Sequence, residues 1–186
     1  MLSILHALGV APDERTAAGC ASFLRLSQHE SGGFSMMKAY RSGIFPCSTG
    51  EHLPFLIYFG LGDDPRVQRA FAFLVEDMST NDALDCGRYQ HRDCLWGAIA
   101  ALNGLAALPA CLRLPQSGWV VQRLPDLLDP ILACQDEQGR WPCRSISRTW
   151  PLEQRNRPSK WLTLDALRLL KTIAEKTMTL PRMVCP

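Results

Sequence analysis

The sequence predicts an all-α protein made of about three to four helical hairpins, each running outer helix, tight turn, inner helix. Apolar residues recur at spacings of three and four, as in Ala17, Ala21 and Leu24 and again in Leu127, Leu128 and Ile131; such spacing gathers them on one helix face. No stretch holds the two-residue alternation of a half-buried strand. Two turns share the pattern Gln-x3-Gly-x-aromatic, Gln28 to Phe34 and Gln135 to Trp141, and such self-similarity marks a repeat architecture.

The elements follow in order. Residues 2–10 read as the end of an inner helix, 13–27 as an outer helix and 47–60 as an inner one. Leu8 to Arg15 resembles Phe59 to Arg66: an apolar helix ends at a glycine, a polar turn follows and a new helix begins. Asp64-Pro65 is a start signal, because Asp caps free amides and Pro suits the first helical position. The next outer helix is expected over 65–78 and the next inner one over 93–108. A third outer helix, 120–134, contains Pro125 and Pro130, each of which removes a backbone donor, so a kink or split is expected there. The last inner helix covers 160–176, after a long loop at 142–159. In the middle repeat Thr80-Asn81-Asp82 stands where the Gln-Gly turn belongs.

Size and composition set limits. The 186 residues suit one repeat domain, 1–177, with a C-terminal tail, 178–186. Apolar residues make up 47% and the net charge is +2, which gives no field to recruit nucleic acid. No apolar run is long enough to span a bilayer. Met1 to Val10 lacks the basic start and cleavage site of a secretory signal, which points to the cytoplasm. The eight cysteines are then expected as reduced thiols.

The two Gln-Gly-aromatic turns resemble the QW-type repeats of squalene–hopene cyclases and related terpene cyclases, whose α/α-toroid architecture also appears in protein prenyltransferase β subunits. The resemblance runs from about Leu2 to Lys176 and implies a partial α/α toroid. Within it, Gln at the end of an outer helix serves to bond backbone groups of a neighbouring helix end, Gly permits positive φ, and the aromatic stitches adjacent hairpins. Gln135 and Trp141 are therefore expected to act on stability. The function implied is a divergent isoprenoid cyclase or prenyltransferase-like enzyme acting on an apolar substrate in the toroid cavity. The alternative is a non-catalytic repeat module binding a peptide, lipid or partner subunit, or a partial gene product; a second copy or another chain would then complete the toroid.

The chemistry departs from the family. The Asp-x-Asp-Asp acid motif of the cyclases is absent, and Asp63-Asp64 lacks the third Asp of a magnesium-binding motif. Prenyltransferases hold a substrate thiolate on zinc. Here Cys86, His91 and Cys94 fall in one connection, with Cys143 or Asp85 available to close a tetrahedron; zinc accepts all these donors. The competing reading is ordinary reduced thiols and a solvent-facing His91. Cys47 and Cys94 both open inner helices, where the helix N-terminus favours a thiolate, and are the reactive-cysteine candidates. Arg144 and Arg148, in the long loop, are candidate anion binders, since guanidinium forks suit diphosphate. Trp96 and Trp161, on inner helices, are candidate cavity aromatics that would face a cation.

Overall fold

The computed structural model describes residues 1–35, 43–80, 85–86, 92–107, 126–143, 154 and 156–179, with 85–86, 92–93 and 176–179 described by backbone alone. The chain is all-α. Its helices are α1 (Leu2–Ala7), α2 (Glu14–Ser27), α3 (Pro46–Leu56, prolonged by a wide turn over Ile57–Leu61), α4 (Pro65–Thr80), α5 (Leu95–Ala107), α6 (the run 126–132) and α7 (Lys160–Thr179). Among the described residues the strands are two-residue pieces in two antiparallel ladders, β1 (Asp85–Cys86) with β2 (Arg92–Asp93) and β3 (Trp141–Pro142) with β4 (Pro158–Ser159). No helix of the described residues is long and apolar enough to cross a membrane.

Local chemistry accounts for the boundaries. Asp13 caps α2 in a reciprocal box with Thr16: its carboxylate accepts from the Thr16 N–H at 2.7 Å, and the Asp13 N–H donates to the Thr16 hydroxyl at 2.8 Å. At the other start signal the Asp64 carboxylate accepts from the Arg66 N–H at 2.8 Å. α1 ends in a Schellman motif around Gly9, whose φ is +68°; Val10 N–H reaches the Leu5 carbonyl at 3.0 Å and Gly9 N–H the His6 carbonyl at 2.9 Å. Gly60, its counterpart after α3, has φ +88°. The two junctions matched in the sequence thus share a left-handed glycine and an aspartate start. Pro130 lies inside the described run of α6, and Pro125 falls outside the described residues. So does the degenerate turn at 81–84; α4 runs up to it, ending at Thr80.

The inner helices α3, α5 and α7 pack side by side in sequence order, and the contact between α3 and α5 is the most extensive among the described elements. Glycine makes it so. A Cβ added to Gly104 would lie 2.5 Å from the Gly50 Cα, and one on Gly50 would overlap the Ala100 carbonyl. The two backbones therefore touch without intervening side chains. Around this seam Leu53, Leu56, Phe71, Leu74, Ile99 and Leu102 form the centre of the core, all fully buried.

Substituting this seam is expected to be costly. Gly104→Ala forces the two backbones apart and is expected to lose about 1–3 kcal/mol or more, as overpacking does. Gly62→Ala has helical backbone angles and no atom nearer than 3.9 Å, and is expected to be neutral or to gain up to about 1 kcal/mol. Urea denaturation of both variants separates close packing from general loss of glycine.

Candidate functional site

The two Gln-Gly-aromatic turns are the same object built twice. In the first, Gly32 N–H bonds the His29 carbonyl at 3.0 Å and His29 N–H the Gly33 carbonyl at 2.9 Å; in the second, Gly139 N–H bonds Asp136 at 2.9 Å and Asp136 N–H bonds Arg140 at 2.8 Å. Gly32 and Gly139 have φ of +95° and +76°. Each turn then clips onto its inner helix: Phe34 N–H donates to the Thr49 hydroxyl at 2.9 Å, and Trp141 N–H to the Thr163 hydroxyl at 3.0 Å. Both aromatics are fully buried, and the Trp141 indole N–H reaches back to the Ile131 carbonyl at 2.7 Å.

The turns differ in what lies beside them. Gln28 donates to the carbonyls of Gly32 and of Arg66 in the first turn of α4, both at 2.7 Å. This joins one hairpin to the next outer helix. Gln135 is exposed, and its carboxamide has no hydrogen bond to the described residues. The neighbouring position tells the same story. A Cβ on Gly33 would collide with Ile44 and Phe73, whereas Arg140 occupies the equivalent place in the open, paired with Asp136 at 3.0 Å. Gln28 thus makes the bond to a neighbouring helix end that the motif leads one to expect in both turns, and Gln135 makes no such bond with a described residue.

Thr49 and Thr163 fix the register of the inner helices relative to one another. Phe45 precedes α3 and Ser159 precedes α7, where the Ser159 hydroxyl accepts from the Leu162 N–H at 2.9 Å. The corresponding residue at α5 is Cys94, whose sulfur accepts from the Gly97 N–H at 3.3 Å. Cys94 is therefore a thiol in an N-cap position. Cys47 lies two residues deeper and corresponds to Trp96 and Trp161, not to Cys94 as the shared helix-opening position suggested. The two thiols are neighbours all the same: a Cβ on Gly97 would meet the Cys94 sulfur at 3.1 Å and the Cys47 Cβ at 3.4 Å. Both are buried, and neither forms a disulfide.

The other expected site residues are described only in part. The Cys86 backbone pairs with Arg92 in the ladder leading into α5. Cys143 is buried just after β3, with its N–H on the Arg157 carbonyl at 2.8 Å. His91, Arg144 and Arg148 fall outside the described residues. Among the described residues no three metal-ligating side chains gather. Trp96 is half-buried and packs on the core, and Trp161 is exposed.

The remaining side of the inner helices is mixed in character. On α3 and the turn after it, this side carries Glu51, Pro54 and Tyr58; the same register gives Ala100, Asn103 and Ala107 on α5 and Asp165, Arg168 and Thr172 on α7. Arg168 and Asp165 pair at 3.6 Å. His6 of α1 stacks near Tyr58, with ring centroids 4.8 Å apart. Burial, and then the positive charge of Arg168, hold the His6 imidazole below its ordinary range. His52, packed among Phe23, Phe34 and Phe55 with its Nδ1 on the Ser48 carbonyl, is held below its ordinary range by that burial. The sequence reading passed over this ring cluster; three phenylalanines and a histidine around one Gln turn were its only signal.

Two measurements follow from this geometry. Gln28→Ala is expected to lose about 1–2 kcal/mol of stability, Trp141→Ala about 3–5 kcal/mol, and Gln135→Ala to stay within about 0.5 kcal/mol; thermal and urea melts give the ranking. Burial pushes the Cys20 thiol from 9.0 up to about 11. The unfolded thiol therefore ionises first, and its contribution, complete below pH 9, is expected to fade as pH rises to 11. Melts across that window should show a shallower decline in Cys20→Ala.

Compared with protein-family models, curated proteins and solved structures, the chain finds no match.

Proposed function

We propose that this chain is a repeat module of the α/α-toroid type that works by binding a protein partner rather than by turning over an isoprenoid. The observation that carries the reading is the chemistry of the surfaces left open by the inner helices. Their common third side bears Glu51, Asn103, Asp165 and Arg168 among Pro54, Tyr58, Ala100 and Ala107, a lining that sets charged side chains where a long hydrocarbon chain needs apolar walls. Six of the large exposed apolar residues, Met1, Ile4, Leu8, Trp161, Leu164 and Leu167, lie on or beside α1 and α7, and large exposed apolar surface marks protein contact. Asp64, half of the pair that resembles a diphosphate motif, is committed to Arg66 through a bidentate pair at 2.6 and 3.0 Å.

The test sets the module against the enzyme the family resemblance implies. The purified chain, with zinc or magnesium added, is incubated with farnesyl diphosphate and with squalene. No cyclised or transferred product and no saturable binding by equilibrium dialysis are expected. A product, or saturable uptake of either compound, overturns the reading.

A further inference from the structure

Two thiols meet at the opening of the glycine seam. Gly97, in the first turn of α5, carries no Cβ; an atom placed there would lie 3.1 Å from the Cys94 sulfur and 3.4 Å from the Cys47 Cβ. The two side chains converge on that spot from different helices, Cys94 from the cap of α5 and Cys47 from the first turn of α3. Gly50 against Gly104 brings the two backbones together, so the helix openings lie side by side. Both thiols are reduced in this structure. The Cys94 sulfur accepts the Gly97 N–H at 3.3 Å. An amide donor and a helix N-terminus both favour the thiolate, which is the form that reacts. Cys20 has the opposite setting, since burial pushes its thiol up to about 11.

We propose that Cys94 and Cys47 form a redox couple, a dithiol that hydrogen peroxide converts to a disulfide joining α5 to α3. The two residues are 3% and 5% exposed, so the oxidant is a small peroxide rather than a bulky disulfide. The Cys94 thiolate attacks one peroxide oxygen. The O–O bond breaks, sulfur is oxidised to the sulfenic acid, and the departing hydroxide takes a proton to become water. The Cys47 sulfur then attacks the Cys94 sulfur. The S–O bond breaks, the S–S bond forms, and the hydroxyl leaves with the Cys47 proton as a second water. Two thiols and one peroxide thus give one disulfide and two waters. The bond closes the long stretch of chain from α3 through α4 to α5, which stabilises the fold by restricting the unfolded state. In a reducing compartment such a bond is transient and reports the oxidant. Nothing in this chemistry depends on what the module binds.

The full chain, fully reduced and then freed of reductant, is treated with about one equivalent of hydrogen peroxide. Remaining thiols are alkylated, the chain is digested, and the peptides are read by mass spectrometry. The main product is expected to be a peptide pair joined through Cys47 and Cys94 and released by dithiothreitol. The oxidised chain is expected to melt about 5 °C or more above the reduced one. In Cys47→Ser the Cys94 sulfenic acid is expected to persist and to be trapped by dimedone, and in Cys94→Ser the Cys47 thiol is expected to stay reduced. Three results overturn the proposal: Cys94 joined mainly to any other cysteine, Cys86 included; both thiols intact under excess peroxide; or the Cys47–Cys94 link formed only after unfolding in urea. The wild-type peptide map decides among these even if a serine variant fails to fold.

Discussion

The close approach of Gly50 and Gly104 is the constraint on which the rest of the molecule depends. It brings the backbones of α3 and α5 into contact, and every other element takes its place around that pair. α4 and the aromatic cluster of Phe23, Phe34, His52 and Phe55 fill one flank, and α7 leans on the far face of α5. Close-packed interiors transmit such constraints, because a side chain inserted at the seam has nowhere to go. The seam also brings Cys47 beside Cys94, two helix openings separated by the width of Gly97.

The second constraint is the repeated turn. Its internal hydrogen bonds are local, so the pattern Gln-x3-Gly-x-aromatic reproduces them at residues 28–34 and 135–141 whatever lies outside. What the turn does for the fold depends on its neighbour. Beside α4, Gln28 becomes a staple between hairpins and Gly33 is obligatory. At the second turn, where no bond to a following outer helix is described, the same glutamine is exposed and Arg140 takes the place of Gly33. One motif thus has two energetic values, set by whether a buried carbonyl needs its amide.

The register of the inner helices turns these local facts into surfaces. α3 and α5 each bury residues on two faces, leaving a third side of mixed character. Where the series has no described neighbour, on α1 and α7, apolar residues stand exposed. The thiol at the α5 cap follows from the same register: Cys94 takes the position that Ser159 takes at α7 and accepts the same i+3 amide. A cysteine that reads in the sequence as a metal donor or a nucleophile is in this light also a capping residue, buried at the mouth of its helix.

The sequence by itself determined the helices, their order, the two turns and the glycine junctions, because these are set by contacts within a few residues: the spacing of apolar positions, aspartate caps at 13 and 64, and positive φ at Gly9, Gly32, Gly60 and Gly139. It also marked Trp141 and Phe34 as buried, since an aromatic following a reversal next to an apolar helix has one place to go. Three things it left undecided. It could not show that Gly50 meets Gly104, because small residues in a helix look the same whether they face a neighbour or the solvent. It could not tell Gln28 from Gln135, because the distinguishing carbonyl, Arg66, comes 38 residues later in the chain. And it set Cys47 level with Cys94, an error of two residues in register, which on a helix is more than half a turn. Only the packing of one helix on another, through side chains far apart in the chain, decided these.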